Sequence, residues 1–241
     1  MTNPLISLVL SLLTSLAIAI AVPFIILTYR VLNPTILKFP WPEIGTDTNL
    51  DAGAGKDTRT KTKPQTHNDD TIVFAGSFNP PHNGHLAMVK YLARKHKQVI
   101  LVIGMNPSKK YKVSPADRAA ILERMVASIG LGKESVRVKV VSGYIWRYAM
   151  STSVNAKILY RGIRTWEKDG KEERALHILN SWGPIVFGPL KWPLVTNFME
   201  GDTKYLHLSS TLIREACLSK DKDLSGMVPK QVEDDIVKAY T

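Results

Sequence analysis

A short apolar strand, a glycine-rich turn and an amphipathic stretch follow one another early in this chain. The apolar run at residues 71–75 leads directly into Gly76-Ser77-Phe78-Asn79-Pro80-Pro81-His82-Asn83-Gly84-His85. Proteins commonly build phosphate sites in this order, because backbone N–H groups and the positive end of a helix dipole then face the anion. Gly76 and Gly84 allow close backbone approach, and His82 and His85 supply further donors. The segment therefore predicts a nucleoside triphosphate site.

A surface loop or a metal site is the alternative for two histidines in such a turn. For a metal the donor set is poor, since the only cysteine is Cys217 and residues 76–85 contain no Asp or Glu. Placement between a strand and a helix favours the phosphate site over a surface loop. We therefore expect no protein metal site in this loop.

The chain has 241 residues and a formal net charge of +11. Such an excess suits nucleic acid, an anionic membrane surface or a polyanionic small molecule. Much of the positive charge is scattered along predicted helices, and no stripe of interleaved aromatic and basic residues marks a single-stranded nucleic-acid surface. We expect small-molecule substrates and no nucleic-acid partner. The single cysteine excludes an internal disulfide and fits a reducing compartment.

The N-terminal region, residues 1–32, is predicted to be a transmembrane anchor. The first 29 residues contain no charged side chain, and residues 5–29 are apolar almost throughout. A helix of this length spans the roughly 30 Å hydrocarbon core of a bilayer. A cleaved signal is the alternative, but no basic segment precedes the apolar run, which exceeds the usual h-region. Pro23 is compatible with a transmembrane helix.

Positive charge follows this apolar run, which places the remainder of the chain in the cytosol as a single-pass protein. The residues concerned are Arg30, Lys38, Lys56, Arg59, Lys61 and Lys63. The lack of an Arg-rich amphipathic leader disfavours a matrix transit peptide.

Residues 33–70, with four prolines, three glycines and a polar run, predict a flexible linker. A lipid-contacting basic segment is the alternative there.

From residue 71 to 241 apolar strands alternate with helical stretches, which predicts an α/β domain with a parallel sheet covered on both faces. Ser114 and Pro115 mark one helix start. Ligands in such sheets bind at the carboxyl ends of strands. The candidate strands are 72–75, 99–104, 136–141, 157–160 and 185–187, and the candidate helices are 85–96, 115–129, 171–182, 210–218 and 229–240.

Four motifs in this chain resemble the nucleotidyltransferase superfamily, the adenylyltransferases with a Rossmann-like fold. Residues 76–85 resemble its T/H-x-G-H signature. Three further motifs follow in the order found in the phosphopantetheine adenylyltransferase family: Asn106-Pro107-Ser108-Lys109-Lys110, Tyr160-Arg161-Gly162-Ile163-Arg164 and Leu208-Ser209-Ser210-Thr211. The resemblance begins near residue 71 and leaves the first seventy residues unexplained. It implies a Rossmann-like parallel sheet with helices on both faces.

The resemblance implies adenylyl transfer from ATP to 4′-phosphopantetheine, giving dephospho-CoA and pyrophosphate. Mg²⁺ is expected as a companion of the triphosphate, held mostly by phosphate and water. No covalent intermediate is needed, so the protein acts by positioning two polyanions and by preorganised donors. Members of the family are often oligomers, which by analogy allows a homo-oligomer here.

The implied catalytic residues are His85, which would stabilise the transition state at the α-phosphate, and Lys109, which would bridge the acceptor and nucleotide phosphates. The implied acceptor contacts are Ser77, Lys109 and Arg161. The implied ATP contacts are Ser77, Phe78, His82, Gly84, His85, Gly162, Ile163, Arg164, Glu173, Tyr205, Ser209, Ser210 and Thr211.

Two points in this set stay open. The family pattern places one nucleotide-contacting glutamate after Arg164. Its spacing counted back from Asn180 selects Glu173, whereas its spacing counted forward from Arg164 selects Glu172. Ordinary structural roles are the alternative: His85 as a helix cap, the Lys109-Lys110 pair as solvated charge and Ser209 as an N-cap. Arg214, one turn beyond Thr211, favours phosphate binding at that helix.

A rival activity is nicotinamide or nicotinate mononucleotide adenylyltransferase, which has the same fold and reaction but a different acceptor. Residues 76–80 and 209–214 resemble that family, whereas residues 106–110 and 161–164 resemble the phosphopantetheine family. A membrane-tethered nucleotide-binding protein without activity is a rival of another class, which intact His85, Lys109 and Arg164 disfavour. Residues 182–206 are longer and more aromatic than the family pattern, and the sequence assigns them no role.

Overall fold

The computed structural model describes residues 4–42, 68–105, 110–188, 191–219 and 221–241. Six parallel strands form one sheet: β1 (Thr35–Leu37), β2 (Asn68–Gly76), β3 (His96–Gly104), β4 (Val136–Val141), β5 (Ile158–Ile163) and β6 (Val195–Glu200). The helices are α1 (Pro4–Leu32), α2 (Asn83–Lys95), α3 (Pro115–Ala127), α4 (Ile145–Ala149), α5 (Trp166–Val186), α6 (Ser210–Leu218) and α7 (Lys230–Tyr240), with a 3₁₀ turn at Thr203–Tyr205. The predicted Rossmann-like α/β fold is confirmed.

The strands lie in the order β1-β6-β5-β2-β3-β4. The chain thus runs outward from β2 to β3 and β4, then returns to the other side of β2 with β5 and β6. Ala75 near the end of β2 pairs with Arg161 of β5 on one side and with Val102 of β3 on the other. The order reverses between β2 and β5, and a ligand crevice forms at the carboxyl ends of strands at such a switch point.

Strands β2 and β3 are buried on both faces, which explains their continuous apolar sequences. Ile72, Phe74 and Leu101 belong to a cluster on one face, together with residues of α2 and α3. Val73 and Val102 belong to a cluster on the opposite face, which α4 covers. Successive residues of a strand therefore serve different halves of the core.

Helix α3 starts as the sequence predicts. The Ser114 Oγ accepts a hydrogen bond from the Asp117 N–H at 3.1 Å, and Pro115 occupies the first turn. The negative charge of Asp117 lies near the positive end of the helix dipole. The helix ends at Ala127, two residues before the predicted end.

The predicted strand at 185–187 is wrong, because residues 185 and 186 end the 21-residue helix α5. A short apolar run does not by itself distinguish a strand from a buried helix segment. The last strand, β6, which pairs with β5 and β1, was not predicted from the sequence. The predicted helix at 171–182 is the middle of α5.

The beginning of the predicted linker belongs to the sheet. Thr35–Leu37 pairs with β6, the Trp41 indole N–H donates to the Glu200 carbonyl at 3.0 Å, and the Tyr91 hydroxyl donates to the Pro42 carbonyl at 3.1 Å. These contacts depend on residues about 50 and 160 positions away, which no local pattern reveals. Residues 43–67, the rest of the predicted linker, lie outside the described residues.

Helix α1 has two different parts. Most of its length is exposed and apolar, and the helix is long and apolar enough to cross a membrane, with a mean hydropathy of 2.6. Its last third packs on α5, where the rings of Phe24 and Trp182 lie 5.2 Å apart and Leu27 is buried. Pro23 lies within the helix just before these contacts.

Candidate active site

The loop between β2 and α2 lies at the switch point of the sheet. Phe78 has a φ of 44°, an unfavourable conformation for a residue with a side chain, and its ring is nonetheless buried. The ring packs against Phe74 and against His85 in the first turn of α2, with centroids 5.8 and 5.1 Å away. The core therefore holds the loop in a conformation that the isolated segment would not favour.

Gly76 and Gly84 make room for the side chains of this loop. A Cβ on Gly76 would lie 3.0 Å from Phe78 Cε2, and one on Gly84 would lie 3.0 Å from His82 Nδ1. Tight packing thus favours glycine at both positions. The predicted contact of Gly84 and Phe78 with ATP stays a prediction.

The imidazoles of His82 and His85 lie against each other at a tilt of 36°, with their centroids 3.8 Å apart. The His82 N–H donates to Nδ1 of His85 at 3.3 Å, so in the neutral ring of His85 the proton resides on Nε2. Burial lowers the pKa of His85 to about 4, and burial together with the neighbouring His85 lowers the pKa of His82. At neutral pH His85 is an uncharged donor through Nε2.

Three side-chain donors from two helices hold three backbone carbonyls of the loop. The Arg118 Nη1 of α3 donates to the Ser77 carbonyl at 2.5 Å. From α6, the Arg214 Nη1 donates to the Asn79 carbonyl at 2.5 Å and the Ser210 Oγ to the Pro80 carbonyl at 2.7 Å. With these carbonyls fixed, the positions of the N–H groups that follow are fixed as well.

The predicted acceptor contact, Arg161, is held at the end of β5. Its Nε and Nη2 donate to the Glu173 carboxylate at 2.9 and 2.7 Å, and its Nη1 donates to the Ala75 carbonyl at 3.1 Å. Both charged side chains are largely buried. Glu172 is exposed instead, so the structure brings Glu173 and not Glu172 to Arg161.

Arg164 follows at the mouth of the crevice and is half exposed. Asp169, in the first turn of α5, accepts hydrogen bonds from the Arg164 backbone N–H and side chain. This carboxylate raises the pKa of Arg164. The guanidinium is therefore charged and paired, and an anionic ligand that binds it must compete with Asp169.

Gly162 lies between these two arginines and is needed for packing. A Cβ there would lie 2.9 Å from Met88 Sδ and 3.0 Å from Phe74 Cζ, both in the core beneath the loop. Ile163 is buried beside it. The predicted contacts of Gly162 and Ile163 with ATP stay predictions.

The hydroxyl groups at the start of α6 have partners within the protein. Ser209 caps the helix by accepting from the Leu212 N–H at 3.1 Å, which is its ordinary structural role, and Thr211 Oγ1 accepts from Arg214 at 2.9 Å. Backbone N–H groups of a first helical turn have no intrahelical backbone partner, and here Ser209 takes up the one of Leu212. The N–H groups of Ser210 and Thr211 point out of the same turn, where an anion can bind. Tyr205 lies next to Gly84, which places the 3₁₀ turn beside α2.

Lys109, the second predicted catalytic residue, lies outside the described residues. The chain resumes at Lys110, which lines a cavity of about 400 Å³ beside the loop. Among the described residues no group of three or more His, Cys, Asp or Glu side chains is arranged to hold a metal ion. The cavity is lined by Asn79, Lys110, Tyr111, Lys112, Arg214 and Tyr240.

Comparison with protein families agrees with this geometry. The family model described as cytidylyltransferase-like matches residues 73–216, more than half of the chain. The chain belongs to the cytidylyltransferase-like family. The prediction that it is a nucleotidyltransferase of the superfamily with the T/H-x-G-H signature is therefore confirmed.

The similar proteins include several enzymes named phosphopantetheine adenylyltransferase. The one from Borreliella burgdorferi (strain ZS7) is 31% identical over 160 residues, which cover 66% of this chain and 91% of the relative. The one from Natranaerobius thermophilus is 28% identical over 168 residues, or 70% of this chain and 94% of the relative. A Vibrio parahaemolyticus structure, provisionally named nicotinate-nucleotide adenylyltransferase, is 19% identical with a TM-score of 0.48, covering 71% of this chain and 95% of that one.

Two residues of this cytidylyltransferase-like domain escaped the sequence analysis. Arg118 is fully buried under the Ser77 carbonyl, and its guanidinium lies 4.4 Å from the Tyr111 ring. Tyr240, at the end of the last helix, donates to Asn79 Oδ1 at 2.8 Å. A signal for Arg118 exists, because it shares the apolar face of α3 with Ile121 and Met125, where a cation is unusual.

Proposed function

We propose that this enzyme transfers an adenylyl group from ATP to 4′-phosphopantetheine. The observation that carries the proposal is the placement of Arg161 at the switch point, fixed by Glu173 and Ala75. An arginine has five N–H donors. Three of them are used inside the protein, which leaves two in a fixed orientation for an acceptor phosphate. Relatives that bear the name of this activity, at about 30% identity, support the same substrate.

The reaction is a single displacement at phosphorus. An oxygen of the acceptor phosphate attacks the α-phosphorus of ATP, the bond from that phosphorus to the α,β-bridging oxygen breaks, and pyrophosphate leaves with the bonding electrons. Charge gathers on the α-phosphoryl oxygens in the transition state. His85 would meet that charge with its Nε2–H, and the N–H groups at the start of α2 would lie along the phosphates.

Preorganisation is the chief contribution of the protein in this mechanism. The His85 ring is oriented by the His82 N–H and packed by Phe78, so it need not turn when charge develops. The low pKa of His85 keeps the ring neutral before ATP binds, and it then acts as a hydrogen-bond donor. Lys109 would bridge the two substrates, as the resemblance implies.

The acceptor is tested with the full chain, because residues 35–42 form part of the domain. The purified protein in detergent is given ATP and Mg²⁺ with 4′-phosphopantetheine, nicotinamide mononucleotide or nicotinate mononucleotide, and pyrophosphate release is measured. The adenylylated product is identified by mass. We expect turnover with 4′-phosphopantetheine alone.

The other outcomes separate the rival functions. Turnover only with a mononucleotide would assign the chain to nicotinamide or nicotinate mononucleotide adenylyl transfer. ATP binding without turnover on any acceptor would indicate a nucleotide-binding protein without activity. His85→Ala should abolish turnover while the thermal transition is retained, and a variant with near-normal turnover would refute the role of His85.

We also propose that α1 anchors the enzyme in a membrane, with the catalytic domain in the cytosol. The apolar helix without charge before Arg30, followed by positive residues, supports this topology. Membranes from expressing cells are washed with alkaline carbonate, and the protein should stay in the pellet. Release into the supernatant, or a protein shortened at its N-terminus, would instead indicate a peripheral enzyme or a cleaved signal.

A further inference from the structure

Helix α1 is longer than a bilayer-spanning helix needs to be, and its C-terminal part packs on the domain. Pro4–Leu32 has 29 residues. At a rise of 1.5 Å per residue it is about 43 Å long, whereas about 20 residues span a hydrocarbon core of about 30 Å. Counted from Pro4, twenty residues end at Pro23, and the next residue, Phe24, contacts Trp182 of α5. The domain therefore contacts the helix where a spanning segment would leave the hydrocarbon core.

The surface of α5 beside this junction is apolar and exposed. Ile178, Trp182 and Val186 are spaced four residues apart and so form one stripe along the helix. Trp182 touches Phe24 of α1, while Ile178 and Val186 flank it and are 47% and 61% exposed. Phe187, at the end of the same helix, is also exposed.

Aromatic and basic residues border this stripe. Trp192 is 46% exposed and lies 5.6 Å from the guanidinium carbon of Arg30. On the other side Tyr144 stacks on Phe187, and the Arg147 guanidinium donates to the Phe187 carbonyl at 2.9 Å. Trp, Tyr and Arg are the residues that favour the interface between the headgroups and the hydrocarbon core.

We infer that this surface, formed by Ile178, Val186, Phe187 and Trp192, rests in the interface of the same bilayer that holds α1. The inference rests on the proposed anchor and goes beyond it, because a helix on a flexible linker would leave the domain free of the membrane. Here the helix is fixed to the domain by Leu27, which is buried, and by the Arg30 carbonyl, which accepts from His177 Nε2 at 3.0 Å. Insertion of α1 thus brings the apolar surface to the lipid.

The orientation that follows keeps the crevice away from the attachment point. Arg30, Asn33, Thr35 and Thr196 line a small cavity at the amino ends of β1 and β6, where α1 meets the domain. His85, in the first turn of α2, follows the carboxyl end of β2, and Arg161 lies near the carboxyl end of β5. Helix α1 therefore meets the domain at the amino ends of β1 and β6, whereas His85 and Arg161 lie at the carboxyl ends of β2 and β5.

The test places a nitroxide label on the full chain in phosphatidylcholine and phosphatidylglycerol vesicles. Single cysteines are introduced by Val186→Cys, Leu218→Cys and Leu13→Cys in a Cys217→Ala background. Leu218 is the matched control, since it is exposed to 67% but lies at the end of α6, away from α1. Leu13, in the exposed part of α1, reports on the anchor itself. Collision of each label with oxygen, which concentrates in the bilayer, is compared with collision with a water-soluble nickel chelate.

We expect the ratio of oxygen to nickel collisions at position 186 to exceed that at position 218 several-fold and to approach that at position 13. Equal ratios at 186 and 218, with a high ratio at 13, would overturn the inference while leaving the anchor intact. A low ratio at 13 would overturn the anchor and the inference together. Shielding of position 186 from both reagents, with dipolar broadening between labels, would assign the surface to a second copy and also overturn the inference. Adenylyl transfer, measured on the same samples, is independent of these readouts.

Discussion

Arg161 and Glu173 form a two-point ion pair that connects the end of β5 to the second turn of α5, with nitrogen–oxygen distances of 2.9 and 2.7 Å. The pair is largely shielded from water, so removing either charge would leave the other buried without a partner. It fixes the plane of the Arg161 guanidinium, and with it the direction of the two donors that remain for a ligand.

The first prediction concerns this pair. Glu173→Gln removes the negative charge and turns an amide donor toward the guanidinium, so Arg161 loses its fixed orientation. We expect kcat/KM for the acceptor to fall by about ten- to a hundredfold, the equivalent of one or two charge-assisted hydrogen bonds. Glu172→Gln, at the exposed neighbouring position, is the matched control and should retain activity. An equal loss in both variants would mean that helix α5, rather than the ion pair, is responsible.

The second prediction concerns the buried histidines. Because the pKa of His85 is about 4 in the folded protein and 6.5 in the unfolded chain, the unfolded chain binds more protons between these values. The contribution of His85 to the free energy of unfolding is therefore fully present above pH 6.5. It declines by about 1.4 kcal/mol per pH unit as the pH falls toward 4. The difference in melting temperature between pH 7 and pH 5 should be smaller in His85→Gln than in the wild type. An unchanged difference would show that His85 is not held neutral.

The third prediction concerns Arg118. Arg118→Met removes the donor beneath the Ser77 carbonyl but fills the same buried space with an apolar chain. We expect a retained fold and a KM for ATP raised by about tenfold, which corresponds to one hydrogen bond to a charged group. Arg124→Met, on the exposed side of the same helix, should leave KM unchanged. A change in melting temperature without a change in KM would indicate a purely structural role for Arg118.

The fourth prediction concerns Gly162. The methyl group of Gly162→Ala would overlap Met88 and Phe74, so we expect a loss of about 1–3 kcal/mol in the free energy of unfolding. Gly132→Ala adds the same methyl group where no atom lies within 4 Å, and it should be neutral or stabilising. Thermal melts of both variants in detergent provide the comparison. Equal melting temperatures would contradict the tight packing around residue 162.

Much of the fold could be predicted because its signals are local. The apolar run before Gly76 and the capping residue Ser114 depend on neighbours within four positions, and both elements form where the sequence predicts them. Residues 210–218 form the predicted helix for the same reason. The strand prediction at 185–187 was wrong, because an apolar run that ends a long helix has the same composition as a short strand.

The site divides in the same way. The sequence alone predicted that glycine, histidine and arginine cluster at or just after strand ends, because each strand and the turn beside it have local signals. Only the tertiary structure showed that Arg118 supports a carbonyl 41 positions away and that Arg214 supports one 135 positions away. It also joined Thr35–Leu37 to the sheet and chose Glu173 over Glu172 as the partner of Arg161. These outcomes depend on the packing of distant segments, and the geometry of that packing is not written in any short stretch of the chain.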